Sequence, residues 1–298
     1  MQSVSVPAKY KGIIFIILSA FCFAFMNLFV RLSGDIPSMQ KCFFRNFVAV
    51  FFALGVLLKK KQSLKWKKGN FKWLFLRSAI GTLGIICNFY AIDHIPLADA
   101  SILNKMSPFF VIVFSFFILK ERLTFFQGAA VCIAFIGSLF IIKPSFQNVA
   151  LVPSAAGLLG GMAAGFAYTM VRILGQKGEN GSLIVFFFSG FSCLATLPNL
   201  ILNFYPMQWW QLLMLLGAGL SATGGQFAIT AAYYHAPARE ISVYDYSQII
   251  FATLLGLIFL GELPDIYSFV GYVVIILAAV LMFLYNNKKW IFREKLTQ

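Results

Sequence analysis

The chain has 298 residues, of which 60% are hydrophobic, 17% aromatic and only 11% charged. Soluble domains average about 25% charged residues, so this composition excludes a water-soluble globular protein. The net charge of +14 calls for no nucleic acid. Runs such as "KKKQSLKWKK" (59–68) suit a basic anchor facing anionic lipid, which leaves the bilayer and a small solute as the expected partners.

In chain order, Lys9 and Lys11 precede an apolar run without charge over 12–30. "FAFMNLFV" (23–30) offers no small-residue cleavage site, so the run reads as a permanent span rather than a signal peptide. Runs of about 20 mostly apolar residues cross a bilayer as helices. Spans are predicted near 12–32, 37–58, 71–92, 97–119, 123–142, 154–174, 183–203, 208–234, 238–260 and 265–285. The bias of Lys and Arg sets the orientation. With both termini in the cytoplasm, that side receives the basic cluster from Lys59 to Arg77, Lys120, Arg122, Arg172, Lys177, Arg239 and the tail. Arg31, Lys41, Arg45, Lys105 and Lys143 stay outside or within the membrane.

A shift of the sequence by 141 residues aligns it with itself. Val30-Arg31 meets Val171-Arg172, Ala91, His94 and Pro96 meet Ala232, His235 and Pro237, and Glu121 meets Glu262. The expected fold is an all-α polytopic membrane protein, ten helices in two five-helix repeats. The repeats are 1–142 and 153–285, with an external linker over 143–152 and a basic cytoplasmic tail over 286–298. An odd number of spans per repeat inverts the second copy. Inverted repeats are a transporter architecture, with the solute site near the midplane between them.

Polar residues inside apolar spans mark such a site. In "SILNKMSPFF" (101–110), Ser101, Asn104 and Lys105 share one helix face. Pro108 cannot donate to the carbonyl of Asn104, so the helix is weakened beside this stripe. Asn104 maps to Asp245, and Lys105 to Tyr246, in "YDYSQ" (244–248). Tyr244 and Gln248 share a helical face, as do Gln226, Thr230 and Tyr233. Asn27 and Asn88 are isolated amides in the first and third spans. Arg45 either snorkels to the outer interface or pairs with Asp245 or a substrate carboxylate. Gly157, Gly161 and Gly165 form a small-residue ridge that seats a neighbouring helix. Glu121 and Glu262 are expected to accept backbone N–H groups where the next helix starts.

Five cysteines, none in a C-x-x-C pair, read as packing residues. The two histidines give no zinc-site spacing, so neither a metal nor a cofactor is expected.

The stretches "FFRNFVAVFFAL" (43–54), "SPFFVIVFSFFILKERLTFFQGAAVCIAFIG" (107–137) and "VYDYSQIIFATLLGLIFLGELPDIYSFVGYVVII" (243–276) resemble the drug/metabolite transporter superfamily, in its EamA-like ten-helix branch. The resemblance covers nearly the whole chain and implies an inner-membrane carrier of small organic solutes. Members export amino acids and other metabolites, and some import nucleotide-like or vitamin-like compounds. It further implies a cavity lined by helices one to four and six to nine, with five and ten as scaffold. Lys105 departs from the apolar or small residue usual in that branch.

The leading expectation is a secondary-active exporter of an amino acid or related zwitterion, working by alternating access. The candidate contacts are Arg45, Asn88, Asn104, Lys105, Tyr168, Gln226, Tyr233, Tyr244, Asp245, Tyr246 and Gln248. The aromatic rings can stack on the solute or its cation, Lys105 and Arg45 hold a carboxylate, and Asp245 an amine. Proton coupling through Asp245 is a subsidiary expectation, and the assembly is a monomer or homodimer. The alternatives are an importer of a nucleotide-like or vitamin-like metabolite, a polytopic membrane enzyme, and a channel. Neither an interfacial catalytic constellation nor a polar filter is visible for the last two.

Overall fold

The computed structural model describes residues 8–120, 124–142, 150–235 and 242–295. They form α1 Ala8–Leu32, α2 Ser38–Lys59, α3 Phe71–His94, α4 Leu97–Asn104, α5 Ser107–Leu119, α6 Phe125–Ile142, α7 Leu151–Gln176, α8 Gly181–Leu202 and α9 Trp209–His235. A 3-10 helix over Ser242–Tyr246 leads into α10 Ser247–Leu260, and α11 is Ile266–Lys295. Eight segments are long and apolar enough to span a membrane, with α4 and α5 counted together. Phe125–Ile141 and Tyr244–Leu260 are shorter apolar helices that complete the ten. α11 continues past residue 285, where the sequence suggests that the span ends.

The packing follows the internal repeat. α1 packs on α9 and α3 on α7, while α2 packs on α8 and α6 on α11. A 141-residue shift carries α1 to α7 and α3 to α9, so the first two contacts are exchanged by the duplication and the last two map onto themselves. α2 and α8 run antiparallel. Gln40, at the start of α2, donates to the carbonyl of Tyr205 beyond the end of α8 (2.9 Å) and accepts from its N–H (3.0 Å). The two repeats therefore stand inverted with respect to each other.

α4 and α5 form one span with a break at Lys105 and Met106. Pro108 has no N–H to extend α4, so it sits in the first turn of a new helix, where none is needed. The glycine ridge of α7 fits against this break. A Cβ on Gly161 would lie 2.5 Å from the carbonyl oxygen of Leu103, and one on Gly165 would lie 2.6 Å from Cβ of Phe110. Gly160 on the adjoining face meets the backbone of Gly84 and Asn88 on α3. Small residues let these backbones approach in a bilayer, where helices gain little from the hydrophobic effect.

The ends of the bundle are tied by polar contacts. Glu262 does not accept from the helix that follows it, as the sequence suggests, but from the N–H of Leu97 at the start of α4 (2.8 Å). Its other oxygen pairs with Arg31 at 2.6 Å, and Arg31 also donates to the carbonyl of Ile92. The start of α11 is capped locally, by Asp265 accepting from the N–H of Ser268 (2.8 Å). Lys41 pairs with Asp93 at 2.6 Å. At the opposite end Glu179 accepts from Asn70 (2.7 Å) and from the N–H of Lys67 (3.1 Å). Glu121 lies outside the described residues.

Candidate substrate cavity

The break in α4–α5 and the 3-10 helix before α10 face each other. Lys105 Nζ meets Asp245 Oδ2 at 2.6 Å, and the Tyr246 hydroxyl donates to the carbonyl oxygen of Lys105 at 3.1 Å. A continuous helix would bond that carbonyl to the N–H of Phe109. Here that N–H binds Met106 instead, and Tyr246 satisfies the freed acceptor. Irregular backbone at membrane depth survives where it is buried in protein or lines a cavity.

A cavity of about 100 Å³ opens beside the pair, room for several waters at roughly 10–15 Å³ each. Of the residues anticipated from sequence, Arg45, Asn88, Asn104, Lys105, Tyr168, Gln226 and Gln248 line it. Asp245 and Tyr246 are buried behind Lys105. Tyr244 is not among the lining residues: it is 38% exposed, and its ring packs edge-on against Phe283. The 3-10 helix has about three residues per turn, so the i, i+4 face shared by Tyr244 and Gln248 in an α-helix does not form. The Tyr233 side chain lies outside the described residues.

Arg45 does not pair with Asp245. Its Nη1 donates to Asn46 Oδ1 at 2.7 Å, and its guanidinium carbon lies 5.9 Å from the centre of the Phe188 ring. Arg77, expected within the basic cytoplasmic cluster, is instead 5% exposed and lines the cavity. It lies nearly two turns into α3, and its guanidinium carbon stacks 3.7 Å from the centre of the same Phe188 ring. The signal is in the sequence: Arg77, Gly81, Gly84 and Asn88 recur at helical spacing on one face and all line the cavity. An arginine at membrane depth costs about 2.5–3.5 kcal/mol on insertion scales. A cation–π contact returns about 0.5–2 kcal/mol, so Phe188 offsets only part of this.

Among the described residues, several buried polar atoms at the cavity have no hydrogen-bond partner. They are Arg45 Nε, Arg77 Nε, Asn27 Oδ1 and Asn88 Oδ1, with Asp245 Oδ1 behind Lys105. The walls thus present unused donors and unused acceptors within one space. Among the described residues no acidic side chain lines the cavity, whereas Arg45, Arg77 and Lys105 all do.

A multi-span helical bundle of inverted repeats around a polar cavity is the architecture of a membrane transporter. The chain belongs to the EamA-like transporter family, which it matches twice, over residues 10–143 and 154–284. It is similar to the pseudopaline exporter CntI of Pseudomonas aeruginosa, 33% identical over 276 residues, covering 91% of this chain and 95% of the relative. An uncharacterized transporter of Helicobacter pylori is 31% identical over 279 residues, covering 91% and 94%. Human solute carrier family 35 member G1 is 25% identical over 274 residues, covering 87% and 74%. A solved crystal structure shares the fold with a TM-score of 0.68 at 14% identity, covering 94% of this chain and 99% of the other.

Proposed function

We propose that the chain is a secondary-active exporter of a small zwitterionic metabolite, an amino acid or a related compound, carried by alternating access. The observation that supports this reading is the juxtaposition of unused buried donors and acceptors at one cavity: Arg45 and Arg77 for an acid group, Asn27 and Asn88 for an amine. Buried polar groups normally find partners. A solute with both functions satisfies both sets.

Alternating access, in which the repeats taken as 1–142 and 153–285 rock about Lys105–Asp245, is supported by the inverted-repeat architecture. Export is supported by the similarity to the Pseudomonas exporter. The positive-inside distribution supports a cell-membrane protein with both termini in the cytoplasm. Asp245, with one oxygen on Lys105 and one unused, is the proposed site of proton coupling. Release of Lys105 to a substrate carboxylate leaves Asp245 free to take a proton, which links the two events in one cycle.

The test is a comparison of metabolite release from cells that do and do not express the chain, in a host lacking related carriers. The expected result is faster release of at least one amino-bearing acid, abolished by Asp245→Asn. Identical release profiles with and without the chain sink the export reading.

A further inference from the structure

The buried and half-buried cations of this protein fall into two groups. Arg31, Lys41 and Lys105 each hold a carboxylate at 2.6 Å. Arg45 and Arg77 are 6% and 5% exposed, and among the described residues no carboxylate pairs with either. Both guanidiniums lie near one ring, Phe188, their carbons at 5.9 and 3.7 Å from its centre. Each keeps an Nε without a hydrogen-bond partner among the described residues. Two like charges beside one ring in a low-dielectric interior repel each other, and no carboxylate among the described residues neutralises either.

The local sequence makes room for this arrangement. A Cβ on Gly81 would lie 2.5 Å from Arg77 Nη1 and 3.1 Å from Phe188 Cε2. The glycine one turn beyond Arg77 therefore lets the guanidinium fold along α3 into the cavity.

Resting on the transporter reading, we infer that Arg45 and Arg77 form an oxyanion clamp, and that the carried solute bears net negative charge. The planar forks of two arginines match the paired oxygens of a carboxylate or a phosphoryl group. While Lys105 is held by Asp245, as in this structure, the resting cavity retains the two charges of the clamp. A solute with two acidic groups, or one phosphoryl group, cancels them. A solute bearing a single acid and an amine has no net charge to set against the clamp, so the zwitterion class narrows to its acidic members, whose net charge is negative.

The experiment is thermal unfolding of the purified full-length protein in detergent at constant ionic strength. The probes are glutarate, inorganic phosphate, 1,5-diaminopentane and chloride. Glutarate or phosphate is expected to raise the melting temperature, and the diamine and chloride to leave it unchanged. Protection by glutarate alone identifies a carboxylate head, and protection by phosphate alone a phosphoryl head. Loss of a charge-assisted hydrogen-bonding partner weakens binding by roughly tenfold or more, which is the loss expected for Arg45→Met and Arg77→Met. Gly81→Ala keeps both charges, but its methyl displaces the Arg77 guanidinium, so it also weakens protection. Lys65→Gln, on an exposed loop, leaves protection intact.

A second readout separates the clamp from a structural role. Without a probe, Arg77→Met raises the melting temperature, because it removes an unneutralised buried charge. Lys41→Met lowers it, because it strands Asp93. Protection of the wild type by no anion, or equal protection of both arginine variants, overturns the clamp. Counterflow of neutral or cationic solutes that survives in both arginine variants sinks the clamp and leaves the transporter standing. Anion protection that depends on the two arginines, in a protein with no counterflow of any solute, keeps the clamp and sinks the transporter.

Discussion

Tyr246 donates its hydroxyl to the carbonyl of Lys105 at 3.1 Å, and the two residues stand 141 positions apart. That separation is the offset of the internal repeat, so equivalent positions of the two halves touch at the centre of the bundle. The same offset joins the ends of the helices that leave this point. Lys120 (φ 55°) closes α5 with its N–H on the carbonyl of Ser115, and Gly261 (φ 66°) closes α10 with its N–H on that of Gly256. Lys120 pays the usual cost of a side chain in the left-handed region, which a glycine avoids. Lys120→Gly is therefore expected to raise the melting temperature slightly, and Gly261→Lys to lower it by about 1–2 kcal/mol in stability.

The Lys105–Asp245 pair holds the two broken spans together. Removing one partner of a wholly buried pair costs about 3–5 kcal/mol, because the other charge is stranded. Lys105 faces a cavity that can admit water, so Lys105→Met and Asp245→Asn should each cost about 2–3 kcal/mol, discounted from that range. The double variant should lose less than the sum. Thermal unfolding of the four proteins measures the coupling, and strict additivity would show that the pair does not act as a unit.

Glycine contacts separate crowded from open positions. A methyl on Gly161 would press on the Leu103 carbonyl at 2.5 Å, whereas Gly190 on α8 has nothing within 4 Å. Gly161→Ala is expected to destabilise the protein by about 1–3 kcal/mol through backbone displacement. Gly190→Ala should be neutral or mildly stabilising. Melting temperatures of the two variants check the order, and equal values would mean that the α7 ridge does not seat the broken helix.

Glu262 performs two tasks, and two substitutions divide them. Glu262→Gln keeps an acceptor for the Leu97 N–H but loses the charge opposite Arg31, and Glu262→Ala loses both. The alanine variant should be less stable than the glutamine variant by about 0.5–2 kcal/mol, the range for loss of a helix N-cap. Denaturation of both in the same detergent settles the difference.

Much of this was legible in the sequence for physical reasons. Charge-free runs announced the spans, and the fixed 141-residue register announced the duplication. The Pro108 break with Asn104 and Lys105 pointed to the cavity wall, whereas Ser101 of the same stripe is buried away from it. What misled was proximity in sequence. Arg77 follows a basic loop, yet its side chain belongs to the face of α3 that carries Gly81 and Asn88. Glu262 precedes α11, yet it reaches the start of α4 from the other repeat. Tyr244 stands at α-helical spacing from Gln248, which the 3-10 helix does not keep. Each difference concerns where a side chain points once helices pack, which hydropathy and charge do not encode.

The central claim is that this cavity carries an amino-bearing acid across the membrane. Its most direct test is counterflow in liposomes containing the purified protein and preloaded with a pooled metabolite extract, with labelled compounds supplied outside one at a time. The account predicts accumulation of at least one amino-bearing acid in wild-type vesicles, lost in Arg45→Met and Asp245→Asn variants that still purify as folded protein. No accumulation of any labelled metabolite, or equal accumulation in both variants, would contradict it.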